Sequence, residues 1–237
     1  MNNSVALRNA YKLMLTRFGH LNWWPGETPF EVAVGAVLTQ NTSWTNVEKA
    51  IANLKSARVL TPHKLYVLPE ATLAQHIRPA GYFNLKARRL RNFLTVLVEE
   101  FGGRLDRMLS GELNVVRERL LAINGIGRET ADSILLYAGT HHSFVIDAYT
   151  KRIFERHGWW SDSLNTRDGK SKSQSADTYG SLKELCETSL NHQPADDRLD
   201  YWRDYHAQIV MVGKDYCRPR SPDCTNCPLR TLLPKPV

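Results

Sequence analysis

Apolar residues return at three- and four-residue steps along most of the chain, as at Ala6, Ala10, Leu13, Met14 and Phe18 and again at Leu90, Phe93, Leu94 and Leu97. That spacing gathers them on one face of a helix and predicts about ten helices in all. Strict alternation, the mark of a strand, is nearly absent. Its best candidate, Ser143-Phe-Val-Ile146, is too short to imply a sheet. An all-α fold is therefore expected. Breakers separate the helices at Trp24-Pro-Gly26, Thr28-Pro29, Thr61-Pro62, Arg78-Pro-Ala-Gly81, Phe101-Gly-Gly103 and Asn124-Gly-Ile-Gly127. No segment repeats. From Asn165 to Gly180 the chain turns polar, rich in Ser, Lys, Asp and Gly, which predicts an exposed loop or flexible insertion, most simply a solvated linker.

At 237 residues, 42% of them hydrophobic, the chain is long enough for one or two cored domains and too apolar to be an extended disordered protein. Lys and Arg number 31 against 24 Asp and Glu, a balance of +7 spread along the sequence. The excess favours a polyanion partner such as nucleic acid, though weakly by itself. The longest apolar stretches, such as Val32 to Leu38, fall far short of the roughly 20 residues that cross a bilayer. The first ten residues read as the start of an amphipathic helix rather than a signal peptide, so a cytoplasmic protein with no membrane partner is expected. Of four cysteines, Cys217, Cys224 and Cys227 crowd near the end, which in a reducing compartment points to metal rather than disulfides. The histidines show no metal-binding spacing of their own.

The richest segment runs from Leu120 to Tyr137. A helix ends near Ala122, a turn carries Gly125 and Gly127, and an apolar-periodic helix follows at once. Glycines there permit positive φ and close approach of a ligand. The N–H groups of Gly125, Gly127 and Arg128 would then face an anion such as a DNA phosphate at a helix N-terminus. The bland alternative is a helix corner with a glycine cap.

Taken with Phe144-Val-Ile-Asp-Ala-Tyr-Thr-Lys-Arg-Ile-Phe154, the turn Ile123-Asn-Gly-Ile-Gly127 resembles the helix-hairpin-helix DNA glycosylases of the endonuclease III superfamily. Leu38-Thr-Gln-Asn-Thr42, Gly81-Tyr-Phe-Asn-Leu-Lys-Ala87 and the cysteine cluster extend the likeness in the correct order. The resemblance implies two helical domains flanking a DNA-binding cleft. Residues 21–141 would form a bundle with the hairpin. Residues 1–20 and 142–237 would form the second domain, with the catalytic acid and the cysteine loop.

By the same resemblance Asp147 is the essential carboxylate. Breaking an N-glycosidic bond builds positive charge on the sugar, which a fixed carboxylate stabilises while it orients or deprotonates water. Asp147 is also placed to N-cap the next helix, and both roles are compatible. Bifunctional members carry a lysine two residues after the second hairpin glycine, whose amine forms an imine with the sugar. Glu129 stands there in this sequence, so a monofunctional enzyme without strand cleavage is expected. Glu129 either contacts the extruded base or is simply an acid favoured in a first helical turn.

Trp23, Trp24 and Trp44 lie beside segments that flank the active site in the superfamily, and indole faces attract cationic bases. With the hairpin followed by Glu, they make the chain most similar to the bacterial 3-methyladenine glycosylases of endonuclease III type. A core role for these tryptophans is the alternative. The likeness further implies that Gln40 enters the duplex where the base has left, that Tyr82 wedges the opposite strand, and that Lys86, Arg88 and Arg89 meet phosphates. A basic helical run is usually just a solvated face.

The superfamily's iron–sulfur loop is Cys-x6-Cys-x2-Cys-x5-Cys. Here three positions match, and the fourth is Leu233, which cannot ligate. A 4Fe-4S cluster with a non-protein or unusual fourth ligand, zinc on three cysteines and one other ligand, and a loop without metal all stay open. A cluster would pin a loop bearing Arg218, Arg220 and Arg230. Cys186 reads as a buried structural thiol. The expected function is base-excision repair: hydrolytic removal of an alkylated purine from double-stranded DNA by a monomer in the cytoplasm, at the nucleoid. The rivals are a glycosylase with lyase activity for oxidised, deaminated or mismatched bases, and a non-catalytic damage binder.

Overall fold

The structure, a computed structural model, describes residues 3–23, 26–161 and 177–234. Trp24 and residues 165–176 of the polar stretch lie outside them. Twelve α-helices form among the described residues: α1 (Asn3–Phe18), α2 (Pro29–Leu38), α3 (Trp44–Ser56), α4 (Pro62–Val67), α5 (Glu70–His76), α6 (Phe83–Glu99), α7 (Leu105–Met108), α8 (Leu113–Leu121), α9 (Arg128–Ser133), α10 (Ala148–Arg156), α11 (Thr178–Ser189) and α12 (Ala195–Asp215). There is no strand among them. Phe144, Val145 and Ile146 are buried as irregular chain, so burial rather than pairing explains that apolar run. The polar stretch also ends earlier than expected. Asp177 accepts from the Gly180 amide and caps α11, which starts at Thr178.

The helices fall into two compact units, Trp24–Ser143 and Met1–Trp23 with Phe144–Val237. In the first, α2 is apolar on nearly every face and is buried from Glu31 to Gly35 and at Val37 and Leu38. A helix of that kind belongs at a centre, and α3, α6 and α9 pack around it. Thr28 accepts from the Glu31 amide and Pro29 occupies the first turn, which sets where α2 begins. Helix α6 shows the expected stripe, with Ala87, Leu90, Phe93, Leu94 and Leu97 buried. Each buried leucine or phenylalanine contributes about 1.5–3 kcal/mol relative to exposure.

The second unit is organised on α12, against which α1 and α10 pack. Its centre is aromatic: Phe144 meets Trp202 and Tyr205 edge-on at centroid distances of 5.9 and 6.0 Å. Asp204, buried on α12, accepts from the Tyr11 hydroxyl and the Leu21 amide, each at 2.8 Å, so α1 and the chain after it are tied to this helix. Helices α10 and α12 approach closely at Gly213. A Cβ there would lie 2.3 Å from Tyr149 Cδ1.

Candidate functional site

Asp147 stands at the N-cap of α10 in extended backbone (φ −115°, ψ 180°). Its Oδ1 accepts from the Thr150 amide at 2.7 Å and from the Thr150 hydroxyl at 2.8 Å. Its Oδ2 lies 3.6 Å from His206 Nε2 of α12, and 11% of the Asp147 side chain is exposed. Burial would raise this carboxyl; His206 and the two Thr150 bonds outweigh it and hold Asp147 below the usual carboxylate range. The acid is therefore ionised at neutral pH. One oxygen is fixed by the helix end and the other is set aside from it. Thr150 was readable as an Asp-x-x-Thr cap, whereas nothing in the sequence announced His206, which lies 59 residues from Asp147 on another helix.

In the other unit the hairpin joins α8 to α9. Ile123 and Ile126, each 5% exposed, root it in the core, and the Ile126 amide donates to the Ile123 carbonyl at 3.0 Å. Gly125 has φ +97°, as a left-handed turn demands. Gly127 does not: its φ is −89° in extended backbone, so positive φ is not why glycine stands there. A Cβ at Gly127 would meet nothing within 4 Å. Gly127, Arg128 and Glu129 are all exposed, with Glu129 in the first turn of α9.

Gln40 is not a free finger in this structure. Its Nε2 donates to the Gly125 carbonyl at 3.1 Å and the Thr130 hydroxyl at 3.0 Å, and its Oε1 accepts from Arg89. The Arg89 side chain also lies against Gly125. Arg89 is thus a hairpin brace as the chain stands, a correction to its reading as a simple phosphate contact. The reading of Lys86 is corrected too. Lys86 is 1% exposed, and its ammonium donates to the carbonyls of Leu38 and Ala80 at 2.9 and 2.6 Å. It satisfies two helix-end carbonyls that would otherwise lack partners. Burial and the nearby Arg89 push it down to about 8. Only Arg88 of the three is exposed.

Tyr82 is 71% exposed and holds φ +43°, a backbone state that a tyrosine rarely adopts. Trp44, half-buried, packs over Gly35 of α2 and the core beneath, and Trp23 is half-buried in the unit of α1. A cavity of about 750 Å³ lies in the hairpin's unit beside Phe30, Leu105, Leu109 and His141, and none of the candidate residues borders it.

Cys217, Cys224 and Cys227 line one small pocket with Arg156, His157 and Leu233. Leu233 is present where the spacing puts a fourth ligand. Among the described residues, no three His, Cys, Asp or Glu side chains are set to hold a single metal ion. The loop is anchored to α10. Arg152 Nε donates to the Cys217 carbonyl at 2.6 Å, and Arg156 reaches Cys217 Sγ at 3.1 Å and the carbonyls of Arg218 and Pro219, each at 2.8 Å. Burial raises the Cys227 thiol. His157, at the C-cap of α10, lies against Trp159 at a centroid distance of 4.5 Å, the two rings tilted by 31°. Its Nδ1 lies 2.8 Å from the Ile153 carbonyl, and its buried Nε2 has no hydrogen-bond partner among the described residues. Burial pushes His157 below the usual histidine range. The backbone groups of Ile153 and Leu229 oppose that shift, and of these only Ile153 reaches hydrogen-bonding geometry. Three cysteines and His157 line that one pocket, and thiolate and imidazole are donor types that a cluster takes. Cys186 is buried elsewhere, in α11, and its thiol is raised by that burial.

A family model described as HhH-GPD superfamily base excision DNA repair protein matches residues 34–176. A Methanocaldococcus jannaschii protein named as a candidate DNA repair glycosylase is 46% identical over 222 residues, 93% of this chain and 92% of that one. Endonuclease III of Thermotoga maritima is 29% identical over 202 residues, 85% of this chain and 81% of its own length. The crystal structure of H. pylori 3-methyladenine DNA glycosylase bound to 1,N6-ethenoadenine matches with a TM-score of 0.70 at 27% identity, covering 90% of this chain and 98% of that chain. A non-covalent endonuclease III–DNA complex shares the fold, with a TM-score of 0.75 at 22% identity over 98% of this chain and 96% of that chain.

Proposed function

The chain belongs to the HhH-GPD superfamily of base excision DNA repair proteins and is a DNA glycosylase of that group; from this premise we propose that it is monofunctional, hydrolysing the bond between deoxyribose and an alkylated purine such as 3-methyladenine. Glu129 carries the reading. It occupies the position where lyase-competent relatives are expected to carry lysine, and a carboxylate cannot form the imine through which they cut the strand.

The bond that breaks is C1′–N, and its electron pair leaves with the base. A cationic purine departs neutral and needs no prior protonation. Asp147 stabilises the positive sugar, and water attacking C1′ passes its proton to Asp147 Oδ2, the oxygen that the helix cap leaves aside. The indoles of Trp23, Trp24 and Trp44 offer stacking surface for the extruded cation, with Glu129 a further contact to it. The amides of Gly125, Gly127 and Arg128 take a backbone phosphate, which the open space at Gly127 admits. Tyr82, exposed in its left-handed state, wedges the duplex, and Gln40 fills the gap once it releases the hairpin. Cys217, Cys224 and Cys227 would hold a 4Fe-4S cluster, which would supply a structural clamp for the loop bearing Arg218, Arg220 and Arg230.

The test is a panel of duplexes carrying 3-methyladenine, hypoxanthine, uracil or an oxidised pyrimidine, with product strands resolved before and after hot alkali. Release of 3-methyladenine with nicks only after alkali is the expected result. Nicking without alkali overturns the monofunctional reading, and turnover of oxidised pyrimidines alone overturns the alkylpurine one.

A further inference from the structure

We propose that His157 is the fourth protein ligand of the iron–sulfur cluster, replacing the cysteine that position 233 lacks. His157 takes this role only if the cluster reading above holds. The imidazole and the three thiols border the same pocket, and so does Leu233, the residue at the vacant ligand position. His157 is 7% exposed. The Ile153 carbonyl 2.8 Å from Nδ1 can only accept, so Nδ1 bears the proton and Nε2 the lone pair. That second nitrogen is buried with no hydrogen-bond partner among the described residues, a state folded proteins seldom leave unanswered. Metal-bound histidines show this same division of labour, one ring nitrogen donating to a backbone carbonyl and the other facing the metal.

Among the described residues, no three candidate donors are set around a single metal position. A cubane takes its ligands at separate corners, farther apart than the ligands of one ion. On ligation the three thiols each release a proton, while the neutral imidazole donates its lone pair and releases none. The assembly therefore carries one negative charge fewer than a four-thiolate cluster. Arg156, donating to Cys217 Sγ at 3.1 Å, lowers the electron density further. Both effects favour the reduced state, so the reduction potential lies above that of a four-thiolate counterpart.

The experiment uses the full chain, purified without oxygen and reconstituted with ferrous iron and sulfide. Bound iron and acid-labile sulfide are expected. Pulsed EPR of the paramagnetic state, with isotopically labelled histidine, is expected to show a strongly coupled imidazole nitrogen. His157→Ala should lower bound iron several-fold and abolish that coupling. Adding Leu233→Cys to it should restore iron without the nitrogen signal and at a lower potential. Where circular dichroism shows His157→Ala unfolded, His157→Cys replaces it, expected to keep iron and lose the coupling. Iron bound with no histidine coupling in the unaltered chain, or a spectrum unchanged in His157→Cys, overturns the assignment and leaves the three-cysteine cluster standing. Absence of iron and sulfide after reconstitution overturns both. Neither readout depends on excision activity, so a failed lesion panel leaves the assignment separately decided.

Discussion

The two oxygens of Asp147 are held differently, Oδ1 by the cap of α10 and Oδ2 beside His206, and under the proposed reaction asparagine could replace only the first. Asn is as good an N-cap as Asp, so Asp147→Asn is expected to melt within a few degrees of the original chain, while base release falls about 10²–10⁴-fold with loss of the carboxylate. Base release that survives in Asp147→Asn would make Asp147 a cap and nothing more. The pH dependence has a definite sign. The folded carboxyl lies below its unfolded value of about 3.9, so its contribution to stability is complete above that pH and is lost as pH falls through the folded value. Excision should accordingly hold from neutral down to about pH 5, and a fall already at pH 6 would contradict an ionised base held low. Lys86→Met tests the opposite kind of residue. Stranding the Leu38 and Ala80 carbonyls should cost about 2–4 kcal/mol in denaturant melts, with DNA affinity of the folded fraction unchanged. The capping role of Asp147 was legible because its type and position before α10 agree. Lys86 was misread because Lys-x-Arg-Arg looks the same whether its first member faces solvent or a pair of helix-end carbonyls 48 and 6 residues away.

At the scale of elements, the hairpin separates structure from use. Gly125 is required by its own backbone and by Arg89 packed on it, whereas Gly127 has open space beside it. Gly127→Ala, at the N-cap of α9, should cost no more than about 1 kcal/mol while weakening duplex binding. A variant that binds as tightly as the original would remove the phosphate from that turn. Gly213 is the reverse case. Replacing a helical glycine by alanine ordinarily gains up to about 1 kcal/mol, but this Cβ would press on the ring and Cβ of Tyr149, and overpacking of that kind costs about 1–3 kcal/mol. Net loss is expected in Gly213→Ala, with reduced excision because α10 carries Asp147. The helices themselves were plain in the sequence, since three- and four-residue periodicity survives in α6. Close crossings such as α10 on α12 were not, because a glycine that admits a neighbour reads like any other glycine until the neighbour is known.

For the whole molecule, a balance of +7 implied an anionic partner without saying where it binds. If Arg128 meets one phosphate, Arg128→Ala should flatten the slope of log affinity against log salt by about one unit, and an unchanged slope would place Arg128 off the DNA. Excision of this family is chemistry that leaves no optical trace, yet with a cluster bound the chain would carry a gauge of its own condition. Trp159, one of six tryptophans, lies against His157 with ring centroids 4.5 Å apart. Iron held by that imidazole would drain the excited state of the indole beside it, so the emission of this residue should dim as metal enters and return as a chelator or oxygen removes it. The difference spectrum against Trp159→Phe turns the ring pair into a lamp for the loaded fraction in any preparation.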